Sequence, residues 1–139
     1  MRERIARHRK ERGDSFLTIE APIGLAGAVQ SLPANIEAAV VDCLTMWLRN
    51  LMHQGARERP ETEALFQVLR KPRCNLIVVS NEVGMGIVPD NPMAWRFRDL
   101  AGQLNQDVAR LADRVDFMVS GIAMTVKGET RDRRAPSDH

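Results

Sequence analysis

Two short apolar runs do most to limit what this chain can fold into. Ala38 to Val41 is compact and partly β-branched, and it ends against the acid Asp42. "NLIVVS", Asn75 to Ser80, repeats the pattern and opens directly onto Asn81, Glu82, Gly84 and Gly86. Runs of this kind read as buried strands of a parallel sheet, each delivering polar groups to the sheet's carboxyl edge. Helical periodicity fills the space between them. Leu44, Trp47, Leu48 and Leu51 recur at helical spacing, and so do Leu65, Val68 and Leu69 within Thr62 to Lys71, a segment that Pro72 closes.

The rest of the chain extends the alternation. The opening "MRERIARHRKERG" is helix-forming up to Gly13, with Met1 and Ile5 as its only large apolar members. Phe16 to Glu20 alternates as a short strand would, and Pro22 is placed to open a helix over "IGLAGAVQSL". Asn91 is a good N-cap and Pro92 a good first helical residue. The helix they start carries Phe97, Leu100, Ala101, Leu104, Val108 and Leu111 on one face. "RVDFMVSGIAMTVKG" is expected to form a third strand, a bend at Gly121 and a short returning strand. The polar residues 129–139 are expected to be a disordered tail. Strands alternating with helices predict one α/β domain over residues 1–128, a mostly parallel sheet with helices on both faces.

Composition excludes several classes of function. The 139 residues are 44% hydrophobic, enough for a core, and 20 basic against 18 acidic residues leave a net charge of only +2. Neither nucleic acid nor an anionic membrane is demanded as a partner. The basic leader of Arg2, Arg4, Arg7, Arg9, Lys10 and Arg12 has no aromatic among its arginines for base stacking. No apolar stretch is long enough to span a membrane and no signal-peptide pattern is present, so a cytoplasmic location is expected. Cys43 and Cys74 lie in or beside the apolar runs, with no Cys or His partner at zinc spacing, and read as small hydrophobes.

Ligands of open α/β sheets collect outside the carboxyl ends of the strands, where Asp42, Asn81-Glu82 and Ser120-Gly121 are aimed. An Asp ending a strand is how nucleotide-hydrolysing proteins hold magnesium, and it is also a common cap for the next helix. Gly84 and Gly86 suit either turn geometry or close approach of backbone N–H groups to phosphate. His8 stands among cations that disfavour its protonation and attract phosphate. It reads as a neutral nucleophilic imidazole or as an exposed surface residue. A serine-hydrolase arrangement is excluded by the lack of G-x-S-x-G. A G-x-x-x-x-G-K-[ST] phosphate loop is absent too: Lys10, Lys71 and Lys127 do not follow glycines.

Five blocks, "RIARHRKERG", "FLTIEAP", "VVDCLTMWLRNLM", "VVSNEVGMGIVPDNPMAWRFRDLAGQLNQ" and "ADRVDFMVSGIAMTVKG", closely resemble in order and spacing the bifunctional adenosylcobinamide kinase and adenosylcobinamide-phosphate guanylyltransferases of cobalamin biosynthesis. The block around "SNEVGMGIVP" is the most specific. The resemblance implies a P-loop NTPase (RecA-like) fold and a homotrimer. It also implies GTP or ATP as substrates with Mg2+, and adenosylcobinamide and its phosphate as acceptors. It puts the guanylylated histidine at His8 and guanine-nucleotide contacts at Arg9, Lys10, Glu11 and Arg12, with Glu20 and Asp42 as nucleotide-site acids. Family members begin with a strand, a G-G-x-x-S-G-K-S loop, a helix and a second strand, none of which this sequence contains. The implied fold is therefore N-terminally incomplete, with an apolar sheet edge exposed. The alternative to an active enzyme is a catalytically dead remnant acting as an oligomerisation module.

Overall fold

A computed structural model describes residues 16–55 and 57–129. The expected helix over the first dozen residues and the expected disorder of 130–139 lie outside the described residues. Four helices and four strands follow one another: α1 (Leu25–Gln30), β1 (Ala38–Asp42), α2 (Leu44–His53), α3 (Glu58–Leu69), β2 (Asn75–Val79), α4 (Pro92–Leu111), β3 (Val115–Val119) and β4 (Ile122–Lys127).

The helices form where apolar side chains repeat on one face. In α2, Leu44, Trp47, Leu48 and Leu51 are all buried, and Leu51 is 0% exposed. The α3 helix starts a turn earlier than its apolar spacing suggests. Pro60 is accommodated in the first turn, where its missing N–H has no intrahelical partner to lose, and Glu58 and Glu61 complement the positive end of the helix dipole. Asn91 caps α4 as expected: its Oδ1 accepts the Ala94 N–H at 2.8 Å, with Pro92 as the first helical residue. The inner sides of these helices share one core, built on Leu44, Leu48, Leu51, Leu65, Ala101 and Leu104.

β1 and β2 pair in parallel, Val41 opposite Val78 and Asp42 opposite Val79. Ala39, Val41, Leu76 and Val78 face the helical core. Val40 and Ile77, on the other face, are 58% and 56% exposed. The expectation of helices on both faces is thus corrected among the described residues. Every described helix turns its apolar stripe toward the same core, leaving none for the second face.

Two strand expectations change as well. Phe16 to Glu20 forms no strand. It leads into a strap along α2, with the Pro22 carbonyl accepting from Asn50 Nδ2 at 3.3 Å and the Ile23 carbonyl accepting from Trp47 Nε1. A strand is defined by the ladder it joins, and no described edge pairs with this segment. Pro22 consequently sits outside the helix it was expected to open, which begins only at Leu25.

β3 and β4 do form the expected bend and return. They make an antiparallel hairpin that is hydrogen-bonded to neither β1 nor β2, so the sheet is not a single mostly parallel one. Ser120 and Gly121 have φ of 52° and 78°, the pair of positive values that a two-residue type I′ turn requires. That local geometry closes β3 on β4 without any help from β1 and β2.

Candidate active site

The carboxyl ends of β1 and β2 meet the amino end of α2 and the loop before α4, and the junction is built from hydrogen bonds. Thr45, buried in the first turn of α2, accepts the Asn81 N–H on Oγ1 at 2.8 Å and lies 3.4 Å from Ser80 Oγ. Ser80 donates to Asn105 Oδ1 at 2.6 Å, and Asn105 Nδ2 returns a bond to the Asn81 carbonyl at 3.1 Å. Asn81 Nδ2 reaches Cys43 Sγ at 4.0 Å. Backbone groups that leave the ladder at the strand tips are thereby satisfied by side chains from α2 and α4.

Asp42 stands at the tip of β1, exposed, and in alternation with Val40, Ile77 and Val79 it belongs to the uncovered face of the sheet. The rim continues at Glu82, whose Oε1 accepts the Gly84 N–H at 2.5 Å. A Cβ on Gly84 would stand 2.7 Å from that oxygen, and nothing comes nearer than 3.8 Å to one on Gly86. The close neighbour at Gly84 is the end of a flexible side chain, which a small rotation would move aside. On its far side the Gly84 carbonyl accepts from Nη2 of Arg98. Among the described residues no group of three His, Cys, Asp or Glu side chains converges as a protein-built metal cage. A lone exposed carboxylate is still suited to magnesium, which keeps several waters and takes its remaining oxygens from substrate phosphates.

The structure brings Asp42, Asn81 and Glu82 to one edge, as the strand pattern predicts, whereas Ser120-Gly121, expected at the same edge, form the turn of a hairpin that pairs with neither β1 nor β2. Glu20 lies two residues before the Pro22 strap on α2. His8, Arg9, Lys10, Glu11 and Arg12 lie outside the described residues. Cys43 and Cys74 are free thiols, each partly rather than fully buried. Sequence reasoning missed Thr45, Arg98 and Asn105. The last two are separated by seven positions, two turns along one flank of the apolar stripe of α4, where nothing in the sequence sets them apart from the other polar residues of an amphipathic helix.

Comparison with known proteins decides the family. The model of the cobinamide kinase / cobinamide phosphate guanyltransferase family matches residues 1–126. The chain belongs to that family. The bifunctional adenosylcobalamin biosynthesis protein CobP of Pseudomonas aeruginosa is 40% identical over 131 residues, 93% of this chain and 76% of the relative. The CobU proteins of Escherichia coli and Salmonella typhimurium are 31% and 33% identical over 142 aligned positions, 91% of this chain and 78% of each relative. The family's two activities, cobinamide kinase and cobinamide phosphate guanylyltransferase, identify the chain as an enzyme of adenosylcobalamin biosynthesis. No described helix is long and apolar enough to cross a membrane.

Proposed function

We propose that the chain performs both reactions at the β1–β2 strand tips and that its guanylyl carrier is His8. In the kinase step the terminal hydroxyl oxygen of the aminopropanol arm attacks the γ-phosphorus of ATP or GTP. The β–γ phosphoanhydride bond breaks, a nucleoside diphosphate leaves and the hydroxyl proton is lost. In the guanylyl step the neutral His8 imidazole attacks the α-phosphorus of GTP and pyrophosphate departs, leaving a phosphoramidate. An oxygen of cobinamide phosphate then attacks that phosphorus, the P–N bond breaks and the imidazole is restored. Imidazole suits this exchange because it is both nucleophile and leaving group near neutral pH.

The observation that carries this reading is the placement of an exposed Asp42 beside the tied Ser80–Glu82 rim, at the edge where parallel sheets take nucleotides. Asp42 would hold Mg2+, which supplies charge neutralisation on the phosphates. Arg9, Lys10, Glu11 and Arg12 then contact the guanine nucleotide, with Glu20 as a second nucleotide-site acid. The enzyme works as a homotrimer in the cytoplasm.

Incubation with GTP labelled at the α-phosphate tests the carrier. Label should remain on the denatured chain in an acid-labile, alkali-stable bond and disappear in His8→Ala. A labelled His8→Ala chain would sink the assignment. Asp42→Asn should slow labelling by about a hundredfold if it holds the metal, with the deficit shrinking as Mg2+ is raised.

A further inference from the structure

Arg98 occupies the second turn of α4, facing the loop that follows β2, and its guanidinium is only half used. Nη2 donates to the Gly84 carbonyl, and the guanidinium carbon lies 5.6 Å from the Trp95 ring centroid, within cation–π range. Nη1 is buried with no protein acceptor. Gly84 is meanwhile held from both sides, its N–H by the Glu82 carboxylate and its carbonyl by Arg98.

What this clamp presents is apolar. Met85, Ile87 and Val88 follow Gly84 closely, and Ile87 is 97% exposed. The polar ties at the loop's base hold these side chains out in water at the strand tips instead of letting them fold back onto the core. The family's acceptor is a corrinoid, a broad macrocycle with apolar faces and amide-bearing arms. Such a molecule needs apolar contact beside a few oxygen-directed donors.

We propose that Arg98 is a positioning residue that, by holding Gly84, presents the Val83–Val88 loop to the corrin ring, so that Met85, Ile87 and Val88 pack on the macrocycle. The inference rests on the family's cobinamide chemistry and is independent of the guanylyl-histidine step. It separates corrinoid capture, at the loop, from nucleotide chemistry, at Asp42.

The test uses the full chain with cobinamide as probe, followed by its visible absorbance in equilibrium dialysis, beside GTP-dependent labelling of the protein. Arg98→Ala should weaken cobinamide binding about tenfold or more, and Arg98→Lys, which keeps one donor for Gly84, should recover part of it. Ile87→Ser, outside the hydrogen-bonded clamp, should weaken binding about fivefold with an unchanged melting temperature. Labelling by GTP should match the parent in all three, and the kinase should show raised KM for cobinamide with kcat held. Cobinamide affinity within twofold of the parent in both Arg98→Ala and Ile87→Ser overturns the proposal. So does a parallel loss of labelling, which would mean general disruption, or a change in sedimentation of Ile87→Ser with affinity intact, which would make the loop a subunit contact. A parent chain that labels with GTP but binds no cobinamide defeats the corrinoid assignment and leaves the carrier reading standing. One that binds cobinamide but never labels does the reverse.

Discussion

The β1–β2 pair and the β3–β4 hairpin are made from similar residues and come to different ends. In the first, Val41 is buried under the helices, and the strand tips are locked by Thr45, Ser80, Asn81 and Asn105. In the second, Phe117, Met118, Val119, Ile122, Met124 and Val126 are all exposed. The hairpin is held by its own ladder and by the Arg114–Asp116–Thr125 cluster. Lys127 adds a tether, its ammonium donating to the carbonyls of Ala109 and Arg110 at the end of α4, at 2.9 and 3.0 Å. The hydrogen bonds that Arg114 donates to Asp116 raise its pKa above the ordinary value. An apolar strand becomes core only where a helix stripe covers it; local pairing alone builds a sheet with both faces open.

The contrast breaks first where burial is deepest. Leu51→Ala removes a fully buried side chain from the helical core that covers β1 and β2. It should cost roughly 2 to 5 kcal/mol in denaturant unfolding, the spread reflecting how far the cavity relaxes. A loss under about 1 kcal/mol would mean that the helical core is not what supports the parallel pair.

Next comes the lock at the strand tips. Thr45→Val keeps the side-chain shape but removes the acceptor for the Asn81 N–H, and should cost about 1 to 3 kcal/mol. Thr45→Ser, which restores the hydroxyl, should regain most of it. If valine and serine melt alike, the hydroxyl contributes packing only and the tip is held by Asn105 alone.

These two sites also mark how far the sequence could be read. The α2 stripe was legible because Leu44, Trp47, Leu48 and Leu51 cannot be arranged at that spacing without a buried face, and β1 and β2 were legible because continuous β-branched runs have few other uses. Asn91-Pro92 announced the α4 start through chemistry confined to a few neighbouring residues. The Phe16–Glu20 segment failed for the opposite reason: alternation records a preference for a ladder but not whether an edge is there to receive it. The hairpin's separation from the parallel pair was invisible on the same ground. Thr45, Arg98 and Asn105 were missed because hydrogen bonds between residues 14 to 36 positions apart leave no local pattern.

The tether between the regions is a smaller effect. Lys127→Met keeps the aliphatic stem but loses the cation at the carboxyl end of α4, and should cost about 0.3 to 1 kcal/mol, less at high salt. A salt-independent loss would assign the role of Lys127 to the stem.

The smallest change is expected on the open hairpin itself. Met124 is 53% exposed, so Met124→Ser leaves most of its transfer free energy where it already was and should shift unfolding by under about 0.5 kcal/mol. A larger destabilisation whose size depends on protein concentration would show that another molecule covers this face in solution, because mass action ties such a loss to association. A larger loss independent of concentration would instead place the hairpin against part of its own chain. Either result would erase the difference between the two sheets, since both would then owe their stability to burial; a shift within half a kilocalorie keeps them apart, one made by packing and the other by its turn and its ladder.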